Sequence, residues 1–159
     1  MQKIAMIIDD ETQILSALKR ELVREGWQVV AFSNPTMALQ FAQSNLVPLV
    51  IADYSMPEMT GVEFFRHLDE IQPVTYKIML SGCMDRNDVV DAVSRGGVHV
   101  FLEKPWDAAR LTAEMKAGLD HFKLLMRMEF ALNREVMPAE QFRQWYEGVL
   151  TRFRAAASE

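Results

Sequence analysis

Acidic, hydroxyl and amine side chains stand at the ends of short apolar runs at four separate points of the chain. Asp9 and Asp10 follow the first such run, and Asp53 follows another. Ser81 and Lys104 stand just after two later runs. Clustered carboxylates repel one another and stay ionised together only if a cation or a proton intervenes. If the runs are neighbouring strands, they deliver carboxylates, a hydroxyl and an ammonium to one place.

Metal-assisted phosphoryl transfer is the chemistry that such a set supports. Mg²⁺ prefers one or two carboxylates together with waters and a phosphate oxygen. An aspartate can attack phosphorus as a covalent nucleophile, and the site must then neutralise the charge on three phosphoryl oxygens. Asp53 is alone on its run and is the candidate nucleophile, with Asp9 and Asp10 as the candidate metal pair. Lys104 and the Ser81 hydroxyl are candidates for binding the phosphoryl oxygens.

The elements that must position these residues are strands and helices in regular alternation. Apolar runs indicate five strands, at 4–8, 27–32, 47–52, 76–80 and 98–102. Helical periodicity predicts helices after the first four strands, over 12–25, from about 35, after 61 and over 86–95. This alternation favours an α/β fold, a doubly wound five-stranded parallel sheet. Ligands of such folds bind outside the carboxyl ends of the strands.

The chain continues past the last strand with a long helical pattern. A stripe of apolar residues extends over 107–134, and as one unbroken helix this segment would be roughly 42 Å long. Pro138 suits the start of a second helix, whose wide apolar face includes Trp145 and Tyr146. We therefore divide the chain into a phosphoacceptor domain at 1–122 and a helical extension at 123–159.

The apolar faces of this extension must be buried somewhere. One arrangement folds the two helices back as a hairpin on the first domain, and the other pairs them with a second subunit. We expect a homodimer through the C-terminal helices, because a helix that protrudes beyond its domain has little of its own chain to contact.

Composition narrows the class of protein. The 159 residues are 50% hydrophobic, which excludes disorder of the whole chain. A net charge of −5 argues against nucleic acid as a partner, because phosphate neutralisation needs clustered cations. No apolar run approaches the roughly 18 residues that span a bilayer, and no signal peptide fits the start of the chain. The lone Cys83 offers no internal disulfide. We expect a cytoplasmic protein without a membrane partner.

Four segments of the chain closely resemble the receiver domain of two-component response regulators. They are Ile7–Glu11, Ile51–Gly61, Met79–Gly82 and Phe101–Pro105. The resemblance extends over roughly residues 1–122 and implies a flavodoxin-like receiver fold that uses Mg²⁺. It also implies transfer of a phosphoryl group to Asp53 from the phosphohistidine of a sensor histidine kinase, or from a phosphotransfer protein.

The resemblance assigns the metal ligands. Asp10 and the phosphoacceptor Asp53 would ligate Mg²⁺, with Asp9 completing the acidic group. The backbone carbonyl of Ser55, two residues past the acceptor, would supply a further protein ligand.

It also assigns the residues of a conformational switch. Ser81 and Lys104 would bind the phosphoryl oxygens, and Ser81 would move towards them on activation. Phe101 matches the switch aromatic of the family, whose ring would enter the space that Ser81 vacates. Because phenylalanine lacks a hydroxyl, a switch that hydrogen-bonds through a tyrosine is unavailable at this position.

Two alternatives stay open. An Asp-nucleophile phosphohydrolase needs a second aspartate two positions after the nucleophile as general acid, and Ser55 stands there. The other alternative is a fragment of a longer regulator whose output domain is missing, since the extension is too short for a DNA-reading domain with its own core. We expect a signalling switch, which catalyses only its own phosphorylation and dephosphorylation, and not an enzyme.

Overall fold

A computed structural model describes residues 3–82 and 84–158, so the prediction for Cys83 lies outside the described part of the chain. Five strands form one parallel sheet in the order β2-β1-β3-β4-β5. Their bounds are β1 Ile4–Ile8, β2 Gln28–Phe32, β3 Leu49–Asp53, β4 Tyr76–Ser81 and β5 Val100–Glu103. The predicted five-stranded parallel sheet is confirmed.

Six helices accompany the sheet in the described residues. Their bounds are α1 Thr12–Arg24, α2 Pro35–Ser44, α3 Gly61–Ile71, α4 Arg86–Gly96, α5 Ala108–Val136 and α6 Ala139–Ser158. Buried side chains of α2, α3 and α4 cover one face of the sheet, and those of α1 and α5 cover the other. The fold is therefore doubly wound, as predicted, with a C-terminal helical extension.

The central strands are continuous apolar runs because helices cover both of their faces. Every residue of β1, β3 and β4 is buried. In β1, Ile4 and Met6 contact one core and Ala5 and Ile7 contact the other, in keeping with the two-residue period of a strand. Edge strand β2 is only partly buried.

Two strands begin two residues later than predicted, because local hydrogen bonds take the residues that precede them. The backbone N–H of Val47 donates to the side-chain oxygen of Gln72 (3.0 Å), and β3 starts at Leu49. The backbone N–H of Val98 donates to the carbonyl of Ala92 (3.2 Å) at the end of α4, and β5 starts at Val100. At its other end, β3 includes Asp53, whose backbone is fixed by pairing with Leu80 of β4.

The extension is a pair of helices joined at Met137-Pro138. Helix α5 is a single helix of 29 residues, and α6 turns back so that the ring of Phe130 lies 5.4 Å from that of Tyr146 and 6.2 Å from that of Trp145. A stripe on α5 stays 54 to 73% exposed and comprises Leu124, Met128, Leu132 and Val136. Within residues 3–82 and 84–158, every helix is too short or too polar to cross a membrane.

Gly118 marks the place where α5 lies closest to the sheet. A Cβ atom at this position would lie 2.5 Å from a ring carbon of Tyr76 and 2.6 Å from a methyl carbon of Leu49. Both neighbours are buried, so they could make room only by displacing the core around them. A glycine in the middle of a helix is thus required by packing.

We predict that Gly118→Ala lowers the free energy of unfolding by about 1 to 3 kcal/mol, because the added methyl overfills the core. Urea denaturation measures the effect. The matched control is Gly148→Ala in α6, where a Cβ would meet nothing within 4 Å and alanine gains up to about 1 kcal/mol as a helix former. An unchanged midpoint for Gly118→Ala would contradict the close contact.

Candidate functional site

The strand order brings the ends of four strands side by side. Strands β1, β3, β4 and β5 are consecutive neighbours in the sheet. The register pairs Ser81 with Glu103, and the next backbone N–H, that of Lys104, donates to the carbonyl of Ser81 (2.7 Å). The backbone N–H of Tyr54 donates to the carbonyl of Leu80 (3.0 Å). The predicted acidic, hydroxyl and amine residues therefore lie at one edge of the sheet.

Three carboxylates form an acidic cluster at this edge. Asp9, Asp10 and Asp53 each offer a carboxylate oxygen within 4.8 Å of the others. Asp9 and Asp53 are almost fully buried, at 1% and 6% exposed, whereas Asp10 is exposed. The backbone N–H of Glu11 donates to Asp9 Oδ1 (2.9 Å), which holds the deepest of the three carboxylates in place.

One ammonium stands against this cluster. Lys104 Nζ lies 2.9 Å from Asp9 Oδ2 and 3.2 Å from Asp53 Oδ1, and 3.6 Å from Glu11 Oε1. Burial lowers the pKa of Lys104, but the bonds and charges of Asp9 and Asp53 outweigh it and raise that pKa on balance. The lysine stays protonated and joins the ends of three strands.

The acidic cluster has more negative charge than the protein neutralises. Burial, and then the charge of Asp9, raises the pKa of Asp53 to about 6, although Lys104 acts in the opposite direction. Burial likewise raises the pKa of Asp9. For both carboxylates, burial of the ionised form therefore costs folding free energy.

The acidic cluster suits a hard divalent cation. All of its donors are carboxylate oxygens, which Mg²⁺ prefers. The buried oxygen Asp9 Oδ2 lies 2.9 Å from the ammonium of Lys104 and has no other partner among the described residues. Three carboxylates against one ammonium leave two negative charges, which one divalent cation would balance. The residues thus fit Mg²⁺.

A cleft of about 370 Å³ opens beside the acidic cluster. Its lining residues are Asp10, Glu11, Asp53, Tyr54, Ser55, Ser81, Gly82 and Lys104. Of the predicted site residues, Asp9 lies beneath this cleft and not in its wall. Phe101 is outside it, half-buried on β5 against the core shared with Met79 and Ala92.

The cleft also contains residues to which the sequence assigns no role. Glu11 contributes a further carboxylate near Lys104, and Gly82 lies beside Ser81. The hydroxyl of Tyr54 donates a hydrogen bond to Asp88 Oδ1 (2.9 Å), 34 residues along the chain. In the sequence, the one feature that could have pointed to Glu11, Gly82 and Tyr54 is that each stands next to a predicted site residue.

The connection after Asp53 is held by a close backbone approach. The backbone N–H of Gly61 donates to the carbonyl of Tyr54 (2.8 Å), and a Cβ on Gly61 would lie 2.5 Å from the carbonyl oxygen of Asp53. Thr60 and Glu63 then form a reciprocal capping box that starts α3. Glycine is required here because any side chain would displace the backbone of Asp53.

We predict that Asp53→Asn stabilises the metal-free protein at neutral pH by about 1 to 3 kcal/mol, because it removes a buried charge whose pKa is raised from 3.8 to about 6. A carboxyl group whose pKa is higher in the folded than in the unfolded protein stabilises the fold at a pH below its unfolded pKa. This stabilisation is lost as the pH rises through the pKa of the folded protein. The gain should therefore disappear between pH 6 and pH 4.

Urea denaturation in EDTA measures this effect, and Asp120→Asn on the exposed surface of α5 is the control. Saturating Mg²⁺ should stabilise the parent protein more than the Asp53→Asn variant, since ligand binding to the folded state adds stability. If Asp53→Asn were less stable than the parent chain in EDTA, repulsion within the acidic cluster would not be destabilising the folded protein.

Comparison with known proteins identifies what the chain is similar to. The family described as "Response regulator receiver domain" matches residues 5–116. The hydrogenase transcriptional regulatory protein HoxA of Bradyrhizobium diazoefficiens is 27% identical over 131 residues, which is 82% of this chain and 27% of that protein. The chain thus spans about a quarter of the length of this curated relative.

Solved structures share the fold. The signal receiver domain of an HD domain-containing protein from Pseudomonas fluorescens Pf-5 has a TM-score of 0.74 and 27% identity, over 77% of this chain and 98% of that one. The beryllofluoride-activated NtrC4 receiver domain, whose solution structure is a dimer, has a TM-score of 0.72 and 26% identity, over 76% of this chain and 99% of that one.

Proposed function

The chain belongs to the response regulator receiver domain family, and we propose that it accepts a phosphoryl group on Asp53 from the phosphohistidine of a sensor histidine kinase or a phosphotransfer protein. The observation that carries this proposal is the position of Asp53. Its carboxylate ends β3 at the wall of the cleft, 3.2 Å from the ammonium of Lys104 and beside Asp10.

In the transfer step, a carboxylate oxygen of Asp53 forms a bond to phosphorus while the bond between phosphorus and the imidazole nitrogen breaks. The imidazole leaves with the electron pair. Lys104 and the Ser81 hydroxyl, both in the wall of the cleft, would bind phosphoryl oxygens and stabilise the charge that develops on them.

Mg²⁺ is the cofactor that we assign to the acidic cluster. Asp10, Asp53 and the backbone carbonyl of Ser55 would hold it, with Asp9 as the buried acidic neighbour. The bound cation would neutralise the carboxylates and a phosphoryl oxygen, so that an anionic donor can approach the anionic cluster.

Phosphorylation would be read out through Ser81 and Phe101. Movement of Ser81 towards the phosphoryl group would vacate space near β4, and the half-buried ring of Phe101 lies on the neighbouring strand, paired in register with Met79. The carbonyl of Phe101 accepts a bond from the Arg110 guanidinium (3.1 Å), which connects this strand to α5. The surface of α4, β5 and α5 would then change for a partner protein.

A phosphohydrolase remains the less favoured alternative. Its general acid would have to stand at Ser55, which is exposed and has no carboxyl group. The nearby Glu58 is occupied, because its two oxygens accept bonds from Asn34 (2.8 Å) and Thr36 (3.2 Å). We therefore propose a switch that catalyses only its own phosphorylation and dephosphorylation, and not turnover of a separate substrate.

We predict that incubation with phosphoramidate and Mg²⁺ adds one phosphoryl group to the parent chain, as measured by intact mass. Phosphoramidate is a suitable probe because it carries the same type of phosphorus–nitrogen bond as phosphohistidine. Asp53→Asn and EDTA should each abolish the addition, and Asp120→Asn should leave it unchanged. A phosphoryl group on Ser81 or on a histidine would contradict the proposal.

We also propose a homodimer through the C-terminal helices. Leu124, Met128, Leu132 and Val136 are more than half exposed on α5, and they extend over about 18 Å of helix. Contiguous exposed apolar patches of this kind mark interaction sites. A two-fold axis would bury the stripe against its own copy, and the NtrC4 receiver domain is a dimer in solution.

The length of the relative supports a second assignment for the same segment. Because HoxA is much longer than this chain, the chain can also be the receiver part of a longer regulator whose output domain follows α6. The helices would then connect the two domains. In either case we propose action through protein contacts, without binding of nucleic acid by this part.

We predict that Met128→Glu combined with Leu132→Glu weakens dimer formation at least about tenfold, because it places charges in the apolar stripe. Sedimentation equilibrium at micromolar concentration measures the change. The matched control is Val23→Glu with Met37→Glu, two exposed apolar residues on α1 and α2. A monomer mass for the parent chain, both with and without phosphoramidate, would rule out the dimer.

A further inference from the structure

Tyr54, the residue after Asp53, is hydrogen-bonded to strand β4 and to helices α3 and α4. Tyr54 has its backbone N–H bonded to the carbonyl of Leu80 (3.0 Å) on β4 and its carbonyl bonded to the N–H of Gly61 (2.8 Å) on α3. Its ring contacts the core between the sheet and helices α2 to α4. The backbone of Tyr54 is therefore fixed by β4 and α3, and its ring packs against the core.

The partner of its hydroxyl is the first turn of α4. Tyr54 donates to Asp88 Oδ1 (2.9 Å), while the backbone N–H of Asp85 donates to Asp88 Oδ2 (3.2 Å) and that of Asp88 to Asp85 Oδ1 (2.8 Å). The hydroxyl thus joins the capping box that starts α4. The bond to Asp88, together with burial, raises the pKa of Tyr54, so the hydroxyl remains a donor.

The two bonds of Tyr54, to Leu80 and to Asp88, lie on either side of the segment that carries Ser81. Leu80 is bonded to the backbone of Tyr54, and Asp88 is bonded to its hydroxyl. Only a short connection separates Ser81 from the N-cap Asp85. Any displacement of Ser81 towards a phosphoryl group on Asp53 therefore acts on a segment attached to Tyr54 on both sides.

We propose that Tyr54 is a positioning residue, whose hydroxyl bond to Asp88 restrains the start of α4 and keeps Ser81 in its unphosphorylated position. This inference rests on the proposed phosphorylation of Asp53. Loss of the bond lowers the cost of the rearrangement, because a hydrogen bond to an ionised group no longer opposes it. The activated arrangement is then more populated in the free protein.

Tyr54→Phe tests this, since it keeps the ring against the core and removes only the hydroxyl. We expect the rate of phosphorylation by phosphoramidate, and the apparent affinity for beryllofluoride with Mg²⁺, to rise about three- to tenfold. Amide hydrogen exchange at Asp85–Val89 should accelerate in the variant without any ligand. In the parent chain, beryllofluoride should accelerate exchange at the same amides.

Two further variants serve as references. Tyr76→Phe is the matched control, because Tyr76 begins β4 at the end opposite Ser81, and it should leave all three measurements unchanged. Asp88→Asn keeps one acceptor oxygen, which can still accept from the Tyr54 hydroxyl, and loses the charge and the second oxygen, which accepts from the backbone N–H of Asp85. Its effect on phosphorylation should be smaller in the Tyr54→Phe background than in the parent chain, because the bond that it weakens is already absent there.

Three results would overturn the inference. They are slower or unchanged phosphorylation of Tyr54→Phe, unchanged exchange at Asp85–Val89, and additive effects in the double variant. A parent chain that takes no phosphoryl group on Asp53 would instead refute the proposed function. The exchange measurement without ligand would still report on the Tyr54–Asp88 bond in that case.

Discussion

Mutual repulsion among buried carboxylates is the constraint on which the site depends. Asp9 and Asp53 are nearly inaccessible to water, lie close to Asp10, and share one ammonium. The sheet can impose this arrangement because β1, which Asp9 follows, and β3, which ends in Asp53, are completely buried. The free energy of core burial thus holds together charges that would separate in water. The same repulsion supports both the proposed cation and the proposed phosphorylation of Asp53.

The residues that meet at this edge of the sheet can be picked out from the sequence because each is defined locally. Asp9, Asp53 and Ser81 are recognisable as polar residues that end apolar runs, and parallel strands direct such ends to one edge of the sheet. The strand order is not contained in the periodicity, since it depends on the direction in which each crossover helix passes over the sheet. That order is what makes β1 and β3 neighbours and brings Asp9 to Asp53.

Contacts between distant side chains lie beyond sequence reasoning. The ammonium of Lys104 lies nearer to Asp9 than to Asp53, and no spacing rule predicts which carboxylate is the closer partner. Val90 and Val93 are apolar residues of α4, yet both are more than half exposed, and Ala92 is buried instead. Tertiary packing decides which side of a short helix is covered, and small residues allow the closest approach to α3.

The unbroken course of α5 has a mechanical consequence. Its first half is anchored in the core as far as Phe122, and the same helix continues to Val136 without an interruption. The part beyond this anchor, over 123–136, extends about 21 Å. A tilt of about 5° at Phe122 would therefore displace Val136 by nearly 2 Å, by the geometry of a lever of that length. A small rotation of α5 beside the sheet would therefore produce a larger displacement at the end of the helix and in any partner bound there.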